Sequence, residues 1–188
     1  MTLEQLIKSC KKRNPQAQLA LYNMYKDSLF MCCLKYCKNK EDAQDNLQDA
    51  FIEIFTNIHR YSGKGSFEGW IKRITINKAI DKYKKESRFL LVEDDYIFTD
   101  IYVDTEDLFK IPLKNILKFI QELPSRYRLI FNMYELDDYS HQEIATQLNI
   151  SVGTSKSNLH RAKLILKDKI TTHRKAQTPN KKAIKNGI

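Results

Sequence analysis

The sequence predicts an all-α protein built from two small helical domains that are joined by a flexible acidic linker. Glycine and proline, which interrupt helices, number only 5 and 4 among 188 residues. Apolar residues recur at the three- and four-residue spacing of amphipathic helices. Charge also changes sign along the chain: residues 1–90 carry +7, residues 91–112 carry −6 and residues 113–188 carry +8. Two basic helical blocks and an acidic spacer follow from these observations.

The predicted boundaries are a helical domain at 1–86, a linker at 87–111, a second helical domain at 112–170 and a disordered basic tail at 171–188. Two basic blocks are typical of modules that contact a polyanion, although two solvated helical surfaces would have the same charge. The linker has no strong helical stripe and carries seven acidic side chains. The tail has several basic residues and no acidic residue, which predicts weak attraction to DNA.

In the first domain, apolar spacing predicts helices over about 16–38 and 40–59, with Asn39 as the N-cap of the second. That second helix buries a stripe that includes Ala43, Leu47 and Ile54. An acidic ridge lies on nearly the opposite face. Its ordinary interpretation is a solvated helix face, and its alternative is a docking surface for a basic protein partner.

The glycine-containing segment Tyr61–Phe67 precedes a strongly basic helix, which Ser66 is predicted to cap. A flexible loop with an aromatic residue beside a basic helix suits single-stranded or locally opened DNA, since such sites hold the backbone by charge and trap unstacked bases. Core packing remains the simplest role for Trp70.

The segment 140–166 predicts a helix, a tight turn and a second helix. Ile144, Ala145 and Leu148 share one face of the first helix, and Asn149 tolerates the left-handed conformation that such a turn requires. Ser151 is the predicted N-cap of the second helix. The inner face of that helix consists of Leu159, Ala162 and Leu166, and its outer face is polar and basic. This pattern is typical of a helix that enters the major groove of DNA.

Several classes of function are not supported by the sequence. No apolar run approaches the roughly 20 residues of a membrane span, and no signal-peptide core is visible, so the cytoplasm is the default location. The four cysteines are expected to be buried free thiols. The four histidines are scattered, and no phosphate-binding loop, metal-ligand set or catalytic triad is visible. We therefore expect no enzymatic activity, no cofactor and no metal.

The two modules together resemble a known family. DAQDNLQDAFIEIF (42–55) and GSFEGWIKRITINKAID (65–81) resemble region 2 of bacterial sigma factors, and residues 123–163 resemble region 4. The short chain, with no large domain before or between these regions, resembles the extracytoplasmic-function (ECF) group. Both regions in this order are far more specific than a helix-turn-helix alone.

This resemblance implies a factor that binds core RNA polymerase, recognises promoter DNA and helps to melt the −10 region. Five positions match the family segment that docks on the polymerase clamp: Asp42, Asp45, Gln48, Asp49 and Phe51. Positions matched to −10 recognition are Tyr61, Ser62, Gly63, Lys64, Ser66, Phe67, Arg73, Asn77, Lys78 and Lys82. Positions matched to the −35 duplex are Gly153, Thr154, Lys156, Ser157, His160 and Arg161. An anti-sigma partner is also expected, and insertion into a membrane is not.

Three positions depart from the family pattern. Ser155 replaces an apolar residue of the recognition helix, which predicts looser packing at the hinge. Asn149 replaces the usual turn glycine, and Ile76 stands where a polar or basic residue is common. Two other functions remain open from the residues: a stand-alone helix-turn-helix regulator of duplex DNA, and an adaptor that binds proteins through its helices.

Overall fold

The computed structural model describes residues 2–87 and 112–177 and builds them from eight α-helices and one 3-10 turn. The first five elements form an N-terminal module. They are α1 (Leu3–Lys11), α2 (Pro15–Tyr36), α3 (Lys40–Asn57), the turn Ile58–Arg60 and α4 (Phe67–Ser87). The C-terminal module contains α5 (Leu113–Gln121), α6 (Ser125–Leu136), α7 (His141–Leu148) and α8 (Val152–Gln177). The all-α prediction is confirmed for these residues.

The N-terminal module forms around a core shared by α1, α2, α3 and α4. Leu21, Leu29, Ile54 and Ile71 are fully buried there. Helix α1 was not predicted from the sequence, although Thr2 and Gln5 form a reciprocal capping box at its start. The predicted cap of α3 is confirmed, because the Asn39 side-chain oxygen accepts a 2.7 Å hydrogen bond from the Asp42 amide.

The four cysteines lie inside this module or against its edge, and all are buried free thiols, as predicted. Burial raises the pKa of Cys32 to about 11. Burial likewise raises the pKa of Cys33 and of Cys37 to about 12. These thiols therefore stay protonated and pack as small apolar side chains.

The C-terminal module packs α6, α7 and α8 around Leu129, Met133, Ile144 and Leu159. Helix α5 covers the later part of α8 through a second cluster that includes Ile120 and Leu166. Two predicted faces are confirmed, because Ala145 and Ala162 are buried together with their apolar neighbours on α7 and α8.

Helix α8 is longer than predicted. The predicted disordered tail begins at residue 171, but α8 continues to Gln177. The extension has a physical cause: His173 lies edge-on to the Phe119 ring at 5.5 Å and bonds Asn115 at 3.1 Å, so α5 supports the added turns. The rest of the predicted tail, 178–188, and linker residues 88–111 lie outside the described residues.

The two modules pack directly on each other. Ile76 and Ile80 of α4 share one buried cluster with Ile130 and Met133 of α6. Helix α2 also contacts α5 and α6. Polar groups cross the same boundary, since Asn132 donates to the Lys35 carbonyl at 2.7 Å and Gln121 to the Leu34 carbonyl at 3.0 Å. We call this arrangement the closed form.

No helix within residues 2–87 and 112–177 is both long and apolar enough to pass through a membrane.

Candidate protein and nucleic-acid interfaces

Helix α3 presents an acidic face to solvent. Asp45, Gln48 and Asp49 are exposed, while Ala43, Ala50 and Ile54 on the other side are buried. This separation follows from the helical period, because residues three and four apart share a face. The exposed carboxylates and amide form a surface that fits a basic protein partner.

One exposed apolar side chain belongs to this acidic face and was missed from the sequence. Ile52 is 66% exposed, and it follows Asp45 by seven residues and Asp49 by three, so all three lie on one side of α3. A large aliphatic residue among charges is typical of the apolar centre of a protein interface. The signal was present in the sequence as an isoleucine at a polar position of the helix.

Two of the five positions assigned to the polymerase surface are less exposed than the other three. Phe51 is 4% exposed, and its ring contacts Tyr22 with centroids 4.7 Å apart. It therefore belongs to the core, and its assignment as a direct contact is corrected. Asp42 is half-buried, and the Lys82 ammonium lies 2.8 Å from it. Its hydrogen bond with Lys82 is the main reason that the pKa of Asp42 is lowered.

The glycine-containing loop stands on a group of aromatic rings. Tyr61, Phe67 and Trp70 pack with centroids 5.1 to 5.7 Å apart. The Tyr61 hydroxyl also donates to the Gly65 carbonyl at 2.8 Å. Phe67 is buried, so its assignment as a DNA contact is corrected to support of the loop.

The exposed tip of this loop has the conformation that its glycines allow. Gly63 and Gly65 have φ angles of +80° and +82°, a region that side chains with a Cβ rarely adopt. Ser62 and Lys64 are exposed beside them. Ser66 caps α4 as predicted, since its hydroxyl accepts a 3.0 Å hydrogen bond from the Gly69 amide. The tip therefore presents polar and basic groups to solvent, and the cluster of aromatic side chains beneath it holds it in place.

The four residues of α4 assigned to −10 DNA occupy two sides of the helix. Arg73 is exposed and Asn77 is half-buried on the side that faces away from α3. Lys78 and Lys82 lie toward α3, where Lys78 pairs with Glu53 at 3.0 Å and Lys82 pairs with Asp42. The assignment of Lys78 and Lys82 to DNA thus competes with ion pairs inside the module.

The helix-turn-helix has the predicted geometry. Asn149 is left-handed with φ 54°, and the Ser151 hydroxyl accepts a 2.9 Å hydrogen bond from the Thr154 amide at the start of α8. Gly153 and Lys156 are exposed, whereas Thr154 is half-buried. These positions lie at the end of α8 that would enter a major groove.

The left-handed conformation of Asn149 should contribute measurably to stability. We expect Asn149→Ala to lower the free energy of unfolding by about 1 kcal/mol. Alanine is disfavoured in the left-handed conformation, and it lacks the side-chain amide with which asparagine can hydrogen-bond to the nearby backbone. Asn149→Gly should be close to neutral. Urea denaturation followed by circular dichroism measures both, and equal stability of the alanine and glycine variants would contradict the prediction.

Three further positions assigned to the −35 duplex are less exposed. Ser157 is 5% exposed and donates to the Thr154 carbonyl at 2.9 Å, so its assignment as a direct DNA contact is corrected. Arg161 donates to the Tyr127 hydroxyl at 3.2 Å, and His160 is half-buried. Of the six positions assigned to the −35 duplex, only Gly153 and Lys156 are exposed, and the half-buried Thr154 lies beside them.

A polar contact holds the recognition helix to the rest of the module. Ser155 is fully buried, and its hydroxyl lies 2.9 Å from His141 Nδ1 at the start of α7. The His141 ring stacks on Tyr134 of α6 at 4.3 Å. Burial, followed by the nearby Lys156 and Lys163, lowers the pKa of His141 and favours the neutral ring. The expected looser hinge at Ser155 is therefore wrong: a hydrogen bond replaces the apolar contact.

We expect Ser155→Ala to lower the free energy of unfolding by about 1 kcal/mol, because the half-buried His141 ring loses the hydrogen bond that joins it to Ser155. The orientation of α8 should also relax, which weakens binding to −35 duplex DNA. Chemical denaturation and duplex binding by the polymerase-bound protein test this, with the exposed Ser28→Ala as control. If Ser155→Ala changes neither the free energy of unfolding nor the affinity for −35 duplex DNA, the contact does not fix the orientation of α8.

Comparisons with known proteins match both modules. The family model described as "Sigma-70 region 2" covers residues 21–89, and the model described as "Sigma-70, region 4" covers residues 113–166. The chain is 28% identical to the ECF RNA polymerase sigma factor SigW of Bacillus subtilis, over 90% of this chain and 97% of that protein. It is also 28% identical to SigM of the same organism, over 78% and 91%.

A solved structure supports the fold. The sigma factor RpoE, in a co-crystal with the anti-sigma factor NepR from Bartonella quintana, aligns with a TM-score of 0.51 and 16% identity. The alignment covers 81% of this chain and 95% of that one.

Proposed function

This chain belongs to the sigma-70 family, in its ECF group, and we propose that its two modules share promoter recognition through specific surfaces. As a sigma factor it directs promoter-specific transcription by RNA polymerase. We propose which side chains form each of these surfaces. The observation that carries it is the exposed acidic face of α3, which a protein that bound only DNA would not need.

In this proposal, Asp45, Gln48, Asp49 and Ile52 dock on a basic surface of core polymerase. Separated carboxylates around one aliphatic side chain give electrostatic steering and an apolar contact together. Asp42 contributes indirectly, because its ion pair with Lys82 fixes the start of α3 against α4.

The N-terminal module captures the −10 element. Ser62, Lys64 and the glycine backbone of the loop receive an unstacked base, and Arg73 with Asn77 contacts the neighbouring strand. Unstacking a base costs a few kcal/mol, which the new contacts offset. Melting therefore proceeds by capture of opened bases, and we propose that the chain performs no hydrolysis or other catalytic step itself.

The C-terminal module recognises the −35 duplex through the start of α8. Gly153, Thr154 and Lys156 face the major groove, and His160 with Arg161 lies farther along the helix. The NepR complex of the similar RpoE protein supports a related proposal, that an anti-sigma protein binds this chain and keeps it from polymerase.

Co-elution with core polymerase tests the proposal first. The chain should co-elute with core enzyme in gel filtration, and the complex should make −10 thymines of a selected promoter reactive to permanganate. Specific binding to an operator duplex without any affinity for polymerase would instead favour a stand-alone regulator. Binding to neither would favour the adaptor.

A further inference from the structure

The connection between α6 and α7 places a carboxylate against the N-terminal module. Asp137 is 2% exposed at its side chain although it lies in a loop. The Tyr36 hydroxyl donates to one of its oxygens at 2.6 Å, and the Lys72 ammonium pairs with the other. Lys35 lies 3.3 Å from both oxygens. Three donors from α2 and α4 thus surround one anion.

The electrostatics of this cluster favour the ionised carboxylate. Burial opposes ionisation, but hydrogen bonds from Lys72 and Tyr36 and the charge of Lys35 outweigh it and lower the pKa of Asp137. The hydrogen bond that Lys72 donates to Asp137 raises the pKa of Lys72 in turn. Two ammonium groups and a hydroxyl around an anion are also the donors that proteins use to hold a phosphate of nucleic acid.

The same connection covers part of the DNA-facing helix. Arg73 and Tyr139 line one cleft together with Asp138 and Glu143. Ile76 is buried one turn farther along α4. In the closed form, acidic and polar groups of the C-terminal module therefore meet the basic residues of α4 where a DNA strand would lie.

We propose that Lys35, Tyr36 and Lys72 form a phosphate-binding site of the N-terminal module, and that Asp137 occupies this site in the closed form of the free chain. The carboxylate stands in for a DNA phosphate and keeps the free protein from DNA. Release of the C-terminal module empties the site and separates Arg73 from the acidic side chains of Asp138 and Glu143. The proposal rests on the assignment of α4 to the −10 strand.

The test uses the full chain without polymerase and a short fluorescent single-stranded DNA of mixed sequence. Asp137→Arg places a third cation among Lys35, Tyr36 and Lys72 and should open the chain. Its control is Asp27→Arg, which makes the same change of charge at an exposed position of α2. Small-angle scattering reports opening, and fluorescence anisotropy reports DNA affinity.

We expect Asp137→Arg to increase the radius of gyration and to bind DNA at least about tenfold more tightly than Asp27→Arg. Both variants change the net charge by the same amount, so a difference in affinity reports the position of the substitution and not the overall charge. If Asp137→Arg does not fold, Asp137→Asn with its control Asp27→Asn replaces it. A variant that stays as compact as its control, or that opens without tighter binding, overturns the proposal.

Lys72→Gln identifies the site itself. In the otherwise native chain, where Lys72 already pairs with Asp137, it should lower the dependence of log affinity on log salt no more than the exposed control Lys40→Gln does. In the opened Asp137→Arg chain it should lower the dependence of log affinity on log salt by about 0.7, the value of one phosphate contact on single-stranded DNA. Equal effects of Lys72→Gln in both backgrounds overturn the proposal.

Co-elution with core polymerase separates this inference from the proposed function. If the native chain binds polymerase while Asp137→Arg behaves like its control toward DNA, only the phosphate site fails. If the native chain does not bind polymerase, the sigma assignment of these surfaces fails first.

Discussion

Replacing Asp45 and Asp49 together with lysine is expected to weaken binding to core RNA polymerase by about 100-fold or more. Both carboxylates are exposed on the acidic face of α3, so the change reverses the sign of the docking surface without disturbing the core. Like charges brought together at an interface cost several kcal/mol, and each 1.4 kcal/mol is about tenfold in affinity. Fluorescence titration of labelled protein with core polymerase measures the effect.

The matched control reverses Asp27 and Asp168, which are exposed on α2 and α8. This control has the same net charge, and it should bind polymerase within about threefold of the native protein, as expected for charges outside an interface. Thermal unfolding of both variants should stay close to native. If the control and the α3 variant lose affinity equally, overall charge and not the acidic face determines binding.

Arg128→Met is expected to lower the free energy of unfolding by about 3 kcal/mol. Arg128 is buried and donates to the carbonyls of Tyr36, Gln121 and Leu123 at 2.8 to 3.0 Å. Hydrogen bonds from a charged group contribute about 1.5 to 3 kcal/mol each. Methionine also removes the cost of burying the guanidinium charge, which is the main reason that the pKa of Arg128 is lowered, so the net loss is smaller than the sum of three bonds. Methionine fills the volume, so the loss reports the polar contacts. Urea denaturation followed by circular dichroism measures it.

Two further variants make this result interpretable. Arg128→Lys keeps the charge but loses the fork of donors, so it should recover only part of the stability. Arg60→Met removes an exposed arginine and should change stability by less than about 0.5 kcal/mol. A loss below about 1 kcal/mol for Arg128→Met would mean that water or rearrangement satisfies the three carbonyls.

Local features of the fold could be predicted because short-range chemistry determines them. The caps at Asn39, Ser66 and Ser151 each need only a side-chain acceptor and an amide three residues later. The left-handed turn at Asn149 depends on that residue alone. Apolar spacing likewise located the buried faces of α3, α7 and α8.

Features that depend on distant parts of the chain could not be predicted. The cluster around Asp137 joins residues about one hundred positions apart, and no local pattern marks it. The extra turns of α8 depend on contacts with α5. Lys78 and Lys82 were assigned to −10 DNA from the sequence, which gave no sign that acidic residues of α3 pair with them.

Errors at the candidate sites arose at the borders of helix faces. Phe51 and Ser157 each lie beside the exposed face, where a rotation of one residue decides between core and surface. The family resemblance assigned these residues by their position along the chain, and position alone does not determine whether a side chain at such a border is buried. Ser155 shows the opposite case, because its polar side chain suggested weak packing until the structure placed His141 next to it.

Run-off transcription from a promoter selected in vitro is the most direct test of the central claim. Core polymerase with this chain should produce a transcript of defined start, and core polymerase alone should not. The transcript should be lost with the Asp45→Lys, Asp49→Lys variant and kept with the Asp27→Lys, Asp168→Lys control. A chain that binds duplex DNA specifically, yet never confers initiation on polymerase, would contradict the account.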